Sequence, residues 1–157
     1  MNSKNYFFKY AFPCAHLKLE RGDITQEEHE SLKKKFLENN PPSKENLERV
    51  FAPGFVFIKR LAKKMGKDHW DIEVQKEYWE KEHNEIIKRK EGNYSKFPEA
   101  LNNLCKISVG EIKKNKNGLL LVKYNKDKKR VVKNSLIPNA KVGDKIKIHY
   151  GYAIEKI

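Results

Sequence analysis

Cysteine is scarce in this chain: Cys14 and Cys105 are the only two in 157 residues. Two thiols do not make a disulfide framework, and the expectation is a pair of reduced, largely buried thiols in a cytosolic protein. Long apolar runs are missing as well. No stretch approaches the roughly 20 residues needed to cross a bilayer. Met1 to Tyr10 has neither a long apolar segment nor a small-residue cleavage site, so no secretory signal and no membrane partner are expected, and the expected location is cytoplasmic. The glycine patterns that cradle nucleotides or present a nucleophilic serine do not occur. Without a catalytic constellation, an enzyme is not expected.

Acidic residues are few where basic ones are many. The net charge is +13, from 34 Lys and Arg against 21 Asp and Glu, and it is unevenly placed. Residues 1–98 hold 20 basic and 16 acidic residues, a net +4, whereas residues 99–157 hold 14 and 5, a net +9. A basic excess of that density concentrates anions and favours nucleic acid or an acidic partner; it also serves plain solubility.

Residues 1–103 read as a helical domain. Asn5 to Leu19 mixes aromatic and aliphatic residues, with Pro13 starting or kinking a helix. Thr25 followed by Glu28 is a capping box for a helix ending near Asn39. Ser43 is placed to cap the next helix, Pro53-Gly54 to interrupt it, and Gly66 to end the run that carries Phe55, Ile58, Leu61 and Ala62. Asp68 is the expected cap of a long helix through Lys90, and Ser95 to Leu104 a short helical connector. Four or five packed helices are expected.

At Cys105 the period changes. Cys105, Ile107 and Val109 alternate with Lys106, Ser108 and Gly110, the pattern of a strand. Leu119 to Tyr124, Arg130 to Val132, Lys145 to His149 and Gly151 to Ile157 supply four more strands, separated by turn residues at Asn117-Gly118, Asn125 to Lys129 and Val142-Gly143-Asp144. The fold class expected is therefore α+β: an N-terminal helical bundle, then a small five-stranded antiparallel OB-like β-barrel over residues 104–157.

The motifs of that last third resemble the HypC/HupF family of hydrogenase-maturation chaperones. They are Leu104-Cys105-Lys106-Ile107-Ser108-Val109-Gly110 at the start, then Val142-Gly143-Asp144 and His149-Tyr150-Gly151-Tyr152-Ala153-Ile154 near the end, with a Leu136-Ile137-Pro138 bend between them. The resemblance implies a barrel that docks a HypD-like scaffold or a hydrogenase subunit. It also implies iron carried transiently, with Cys105 and His149 as the metal-holding pair and Gly110 and Gly151 as neighbouring contact positions.

Other chemistry-bearing residues are weighed from the chain alone. Cys14 and His16 form a second sulfur–nitrogen pair, and with Cys105 and His149 they would make a four-ligand set. On a helix, however, residues two apart point about 200° from each other. Glu80-x-x-His83 has the spacing of one half of a carboxylate di-iron motif, but only one copy occurs, so His83 is expected in a packing or solvated cluster. Lys123, Tyr124, Lys126, Lys128, Lys129, Arg130 and Lys133 form a basic, partly aromatic hairpin. A small barrel with such a hairpin is suited to single-stranded nucleic acid, the alternative to the chaperone-like adaptor.

Overall fold

The computed structural model describes residues 1–157 and divides them into two compact units, Met1–Ser95 and Lys96–Ile157. No helix is long and apolar enough to cross a membrane.

The first unit is helical. Its segments are α1 (Ser3–Ala11), α2 (Ala15–Glu20), α3 (Gln26–Leu37), α4 (Lys44–Val50), α5 (Ala52–Met65), α6 (Ile72–Glu77) and α7 (His83–Lys88). A 3₁₀ turn at Phe12–Cys14, with Pro13 in its first positions, joins α1 to α2, and a π-helical segment at Tyr78–Glu82 joins α6 to α7. Seven segments thus form five continuous rods. The predicted caps form: Thr25 Oγ1 accepts from the Glu28 amide at 3.1 Å, and Ser43 Oγ from the Asn46 amide at 3.2 Å. Two boundaries differ from expectation. Pro53 stands in the first turn of α5, where its missing N–H costs nothing, so the break falls before it at Phe51. The long helix starts at Ile72 on an Asp71 cap, because Asp68 spends its carboxylate on the Trp70 amide at 2.7 Å in the preceding turn. The core is aromatic: Phe7 packs against Phe51, Phe55, Trp70 and Trp79 with ring centroids 4.7 to 5.8 Å apart.

The second unit opens with α8 (Glu99–Cys105), which runs across the expected 103/104 boundary. Five strands follow: β1 (Ser108–Lys116), β2 (Leu119–Tyr124), β3 (Lys128–Lys133), β4 (Lys145–His149) and β5 (Tyr152–Lys156). They close into a barrel in the order β1-β2-β3-β5-β4. The expected barrel was wholly antiparallel, and here the structure corrects the sequence reading. Four neighbouring pairs are antiparallel, but β3 meets β5 in parallel at Lys133 and Tyr152. The reason is parity: strand direction cannot alternate all the way round a ring with an odd number of strands.

A second correction concerns the first strand. Cys105 is the last residue of α8, and pairing begins only at Ser108. Its phase is also the reverse of the apolar alternation. Val109 is 52% exposed, whereas Gly110 and Ile112 face the core. Gly110 sets this phase. A Cβ there would meet the Val122 side chain and stand 2.8 Å from the Lys123 carbonyl oxygen, so only glycine lets β1 and β2 approach as they do. The barrel core is Ile112, Leu120, Val122, Val132, Ala140, Ile146, Ile148 and Ala153.

Candidate nucleic-acid interface

Because side chains alternate across a strand, the register decides which residues share the outer wall. On β2 the core takes Leu120 and Val122, which leaves Leu119, Leu121 and Lys123 outside. On β3 the core takes Val132, which leaves Lys129, Val131 and Lys133 outside. The pairing sets Lys123 opposite Lys129, Leu121 opposite Val131 and Leu119 opposite Lys133. On β1 a bulge at Lys113 lets Lys114 face Leu121 and Lys116 face Leu119. The outer β1–β2–β3 wall therefore carries an apolar strip, Leu119, Leu121 and Val131, framed by Lys114, Lys116, Lys123, Lys129 and Lys133. Val131 is 57% exposed and Leu119 47%. Tyr152 extends the wall across the parallel β3–β5 pair, with the Lys133 Nζ 5.6 Å from its ring centroid.

The basic hairpin expected from the sequence is divided by this register. Lys123, Lys129 and Lys133 belong to the outer wall, while Lys126 in the turn and Lys128 at the strand start are exposed at its end. Tyr124 and Arg130 lie on the inward side at the barrel mouth. Arg130 donates to the Tyr150 carbonyl at 3.1 Å, to the Tyr124 hydroxyl at 3.0 Å and to the Asn103 carbonyl at 3.5 Å. Its guanidinium carbon stands 4.6 Å from the centroid of the Tyr124 ring. Arg130 thus ties α8, β2, β3 and the β4–β5 turn together, a structural task rather than a surface one.

Cys105 and His149 are both buried, at 1% and 0% exposure. Their chain neighbours are joined directly: the Tyr150 amide donates to the Leu104 carbonyl at 3.0 Å. Gly151 lies in the same β4–β5 turn, and its carbonyl accepts from the Lys133 amide at 2.9 Å. Gly110 serves the strand crossing already described. No group of three or more His, Cys, Asp or Glu side chains is placed to hold a metal ion, and the four-ligand set of the sequence reading draws Cys14 and His16 from the first unit and Cys105 and His149 from the second. Cys14 ends the 3₁₀ turn, and His16 turns to Glu20, 2.9 Å away. His83 is buried, 4.9 Å from Trp79 between ring centroids, while Glu80 is exposed and accepts from the Tyr6 hydroxyl at 3.3 Å. Glu80 lies within the π-helical segment and His83 begins α7.

The sequence reading missed Lys113 and Lys145. They border a groove of about 350 Å³ over β1, lined also by Glu111, Lys123, Asn125 and Lys126. Lys145 stands opposite Glu111 on one side and Lys123 opposite it on the other. Period-two spacing places Lys113 and Lys145 on the outer wall, but their meeting needs the β1–β4 pairing, which no local pattern announces. Among models of known protein families and among curated proteins, nothing matches this chain.

Proposed function

We propose that the barrel unit, Lys96–Ile157, binds single-stranded nucleic acid on its outer β1–β2–β3 wall. The carrying observation is the cross-strand pair Lys123–Lys129. Like charges set directly opposite cost a sheet roughly 0.2–1 kcal/mol. Lys123 pairs with Asp127 at 3.7 Å, on a carboxylate 96% exposed, and the Glu111 carboxylate opposite it on β1 is held by Lys113. A polyanion lying across the pair removes that repulsion. The apolar strip and Tyr152 offer the flat, sequence-tolerant contact that unpaired bases take. The strand order is the OB-like arrangement, a barrel type that holds oligonucleotides on strands 2 and 3.

This reading is favoured over the iron-carrying adaptor that the family resemblance implies. A thiol and an imidazole as deeply buried as Cys105 and His149 would have to be opened to receive iron, whereas the lysine wall is already exposed.

The test is fluorescence anisotropy with a short labelled single strand over a range of salt. Each phosphate contact adds about 0.7 to the magnitude of the log–log salt slope. The double variant Lys129→Ala, Lys133→Ala should lower the slope by about 1.4 and leave the fold unchanged. Absence of binding at low salt, or an unaltered slope in the double variant, would refute the proposal.

A further inference from the structure

The groove over β1 is a concave feature of the basic wall, and its charge is arranged in an unusual way. Four lysines line it, Lys113, Lys123, Lys126 and Lys145, with a single carboxylate, Glu111. Glu111 stands between Lys123 and Lys145 in the strand register. Its carboxylate is nevertheless drawn along its own strand to Lys113, at 2.7 Å. Lys113 is the bulged residue of β1, and the bulge brings it within reach of Glu111. Lys126 and Lys145 form no ion pair within 4 Å, although Lys145, like Lys123, stands opposite Glu111 and helps Lys113 hold its carboxyl below the usual range; Lys126 sits in a turn where it and Asn125 both have positive φ, 72° and 45°. The groove thus holds one internal anion against four cations, with that anion ion-paired to Lys113.

On this basis, and resting on the nucleic-acid reading above, we propose that the groove is a phosphate site of the bound strand and that Glu111 is its resident competitor. The incoming phosphate takes Lys123, Lys126 and Lys145, while Lys113 keeps Glu111 aside. The carboxylate repels every anion that enters, so it weakens binding and keeps it reversible. A lysine-lined groove without Glu111 would hold phosphate more tightly and release it more slowly. Such a device, a repulsive group built in beside attractive ones, sets how strongly a site holds its ligand as well as what it holds.

The discriminating variant is Glu111→Gln, compared with Glu27→Gln. Both raise the net charge by one, but Glu27 is exposed on α3 in the other unit. A unit charge about 6 Å from a phosphate in water-like surroundings corresponds to about a threefold change in affinity, and more where the groove excludes solvent. Glu111→Gln should therefore tighten oligonucleotide binding by about three- to tenfold at low salt, and Glu27→Gln by much less. Two oligonucleotides of one sequence, with and without a 5′-phosphate, identify the source of the phosphate. A gain with both means an internal phosphodiester occupies the groove; a gain with the phosphorylated strand alone means the strand end does. Either gain supports the proposal. If the wild-type chain binds both strands and Glu111→Gln behaves as Glu27→Gln, the groove assignment is wrong and the outer-wall reading stands. If neither strand binds, that reading has failed, and the groove is judged separately by titrating the wild-type chain with inorganic pyrophosphate. Amide shifts centred on Gly110, Glu111 and Lys126 would uphold a phosphate site there, and their absence would end it.

Discussion

Replacing Arg130 separates a structural cation from the exposed lysines that surround it in sequence. Its guanidinium makes hydrogen bonds of 3.0 and 3.1 Å and a longer one of 3.5 Å, and it stacks over Tyr124. A hydrogen bond to a charged group is worth about 1.5–3 kcal/mol, and a partly exposed cation–π contact about 0.5–1 kcal/mol. Against these stands the buried Nε, which lacks a partner and reduces the net gain. Counting the two shorter bonds at the lower end of that range and offsetting the stacking against the unpaired Nε gives about 3 kcal/mol lost in Arg130→Ala. Tryptophan fluorescence cannot measure this, because Trp70 and Trp79 both lie in the first unit. Amide hydrogen exchange at core strand positions such as Val122 and Ile148 can. A loss of 3 kcal/mol speeds exchange through global opening of the barrel by about 100-fold. Arg130→Lys should fall between, since an ammonium reaches one carbonyl but lacks the planar fork. If Arg130→Ala instead leaves exchange within about threefold of wild type and lowers the oligonucleotide salt slope, Arg130 is a surface contact and its placement here is wrong.

Two further outcomes follow from local geometry. Around Glu48, burial pushes the carboxyl upward, but hydrogen bonds from His69 at 2.8 Å, Trp70 at 2.7 Å and Lys59 at 3.0 Å outweigh it and hold the group at about 2. A folded-state pKa below the unfolded one gives stability that is present above about pH 4.5 and is lost as pH falls towards 2. Glu48→Gln should therefore flatten the acid limb of a tryptophan-monitored stability curve over that window, and an unchanged limb would show that the three donors do not act together. Gly110→Ala should destabilise the barrel by about 1–3 kcal/mol, since the added methyl meets the Val122 side chain and the Lys123 backbone rather than a flexible side-chain tip. Hydrogen exchange at β2 reads this directly, and a neutral result would mean that the β1–β2 crossing has slack.

Much of the local architecture was legible in the chain. Thr25 and Ser43 cap helices because a short oxygen-bearing side chain there satisfies an amide that has no intrahelical partner, and neighbouring residues alone settle that. The hairpin at Asn117-Gly118 was equally legible, since both residues adopt the positive φ for which Asn and Gly are suited. A short apolar run marked β2, and alternation of lysine with isoleucine marked β4.

Other features depended on contacts between residues far apart in sequence. The phase of β1 could not be read from its apolar residues, because close approach to β2 at Gly110 overrides the preference of Val109 for burial. The basic residues of the third strand look alike in sequence, yet the pleat sends Lys129 and Lys133 outward and Arg130 into the barrel mouth. The parallel β3–β5 contact follows from closing an odd ring of strands, and the grouping of Glu111, Lys123 and Lys145 follows from strand pairing. Sequence determined which residues could cap, turn and alternate, since those are short-range choices of backbone and side chain. Only the closed barrel decided which charges meet, because register is a long-range property shared by strands that do not know each other until they pair.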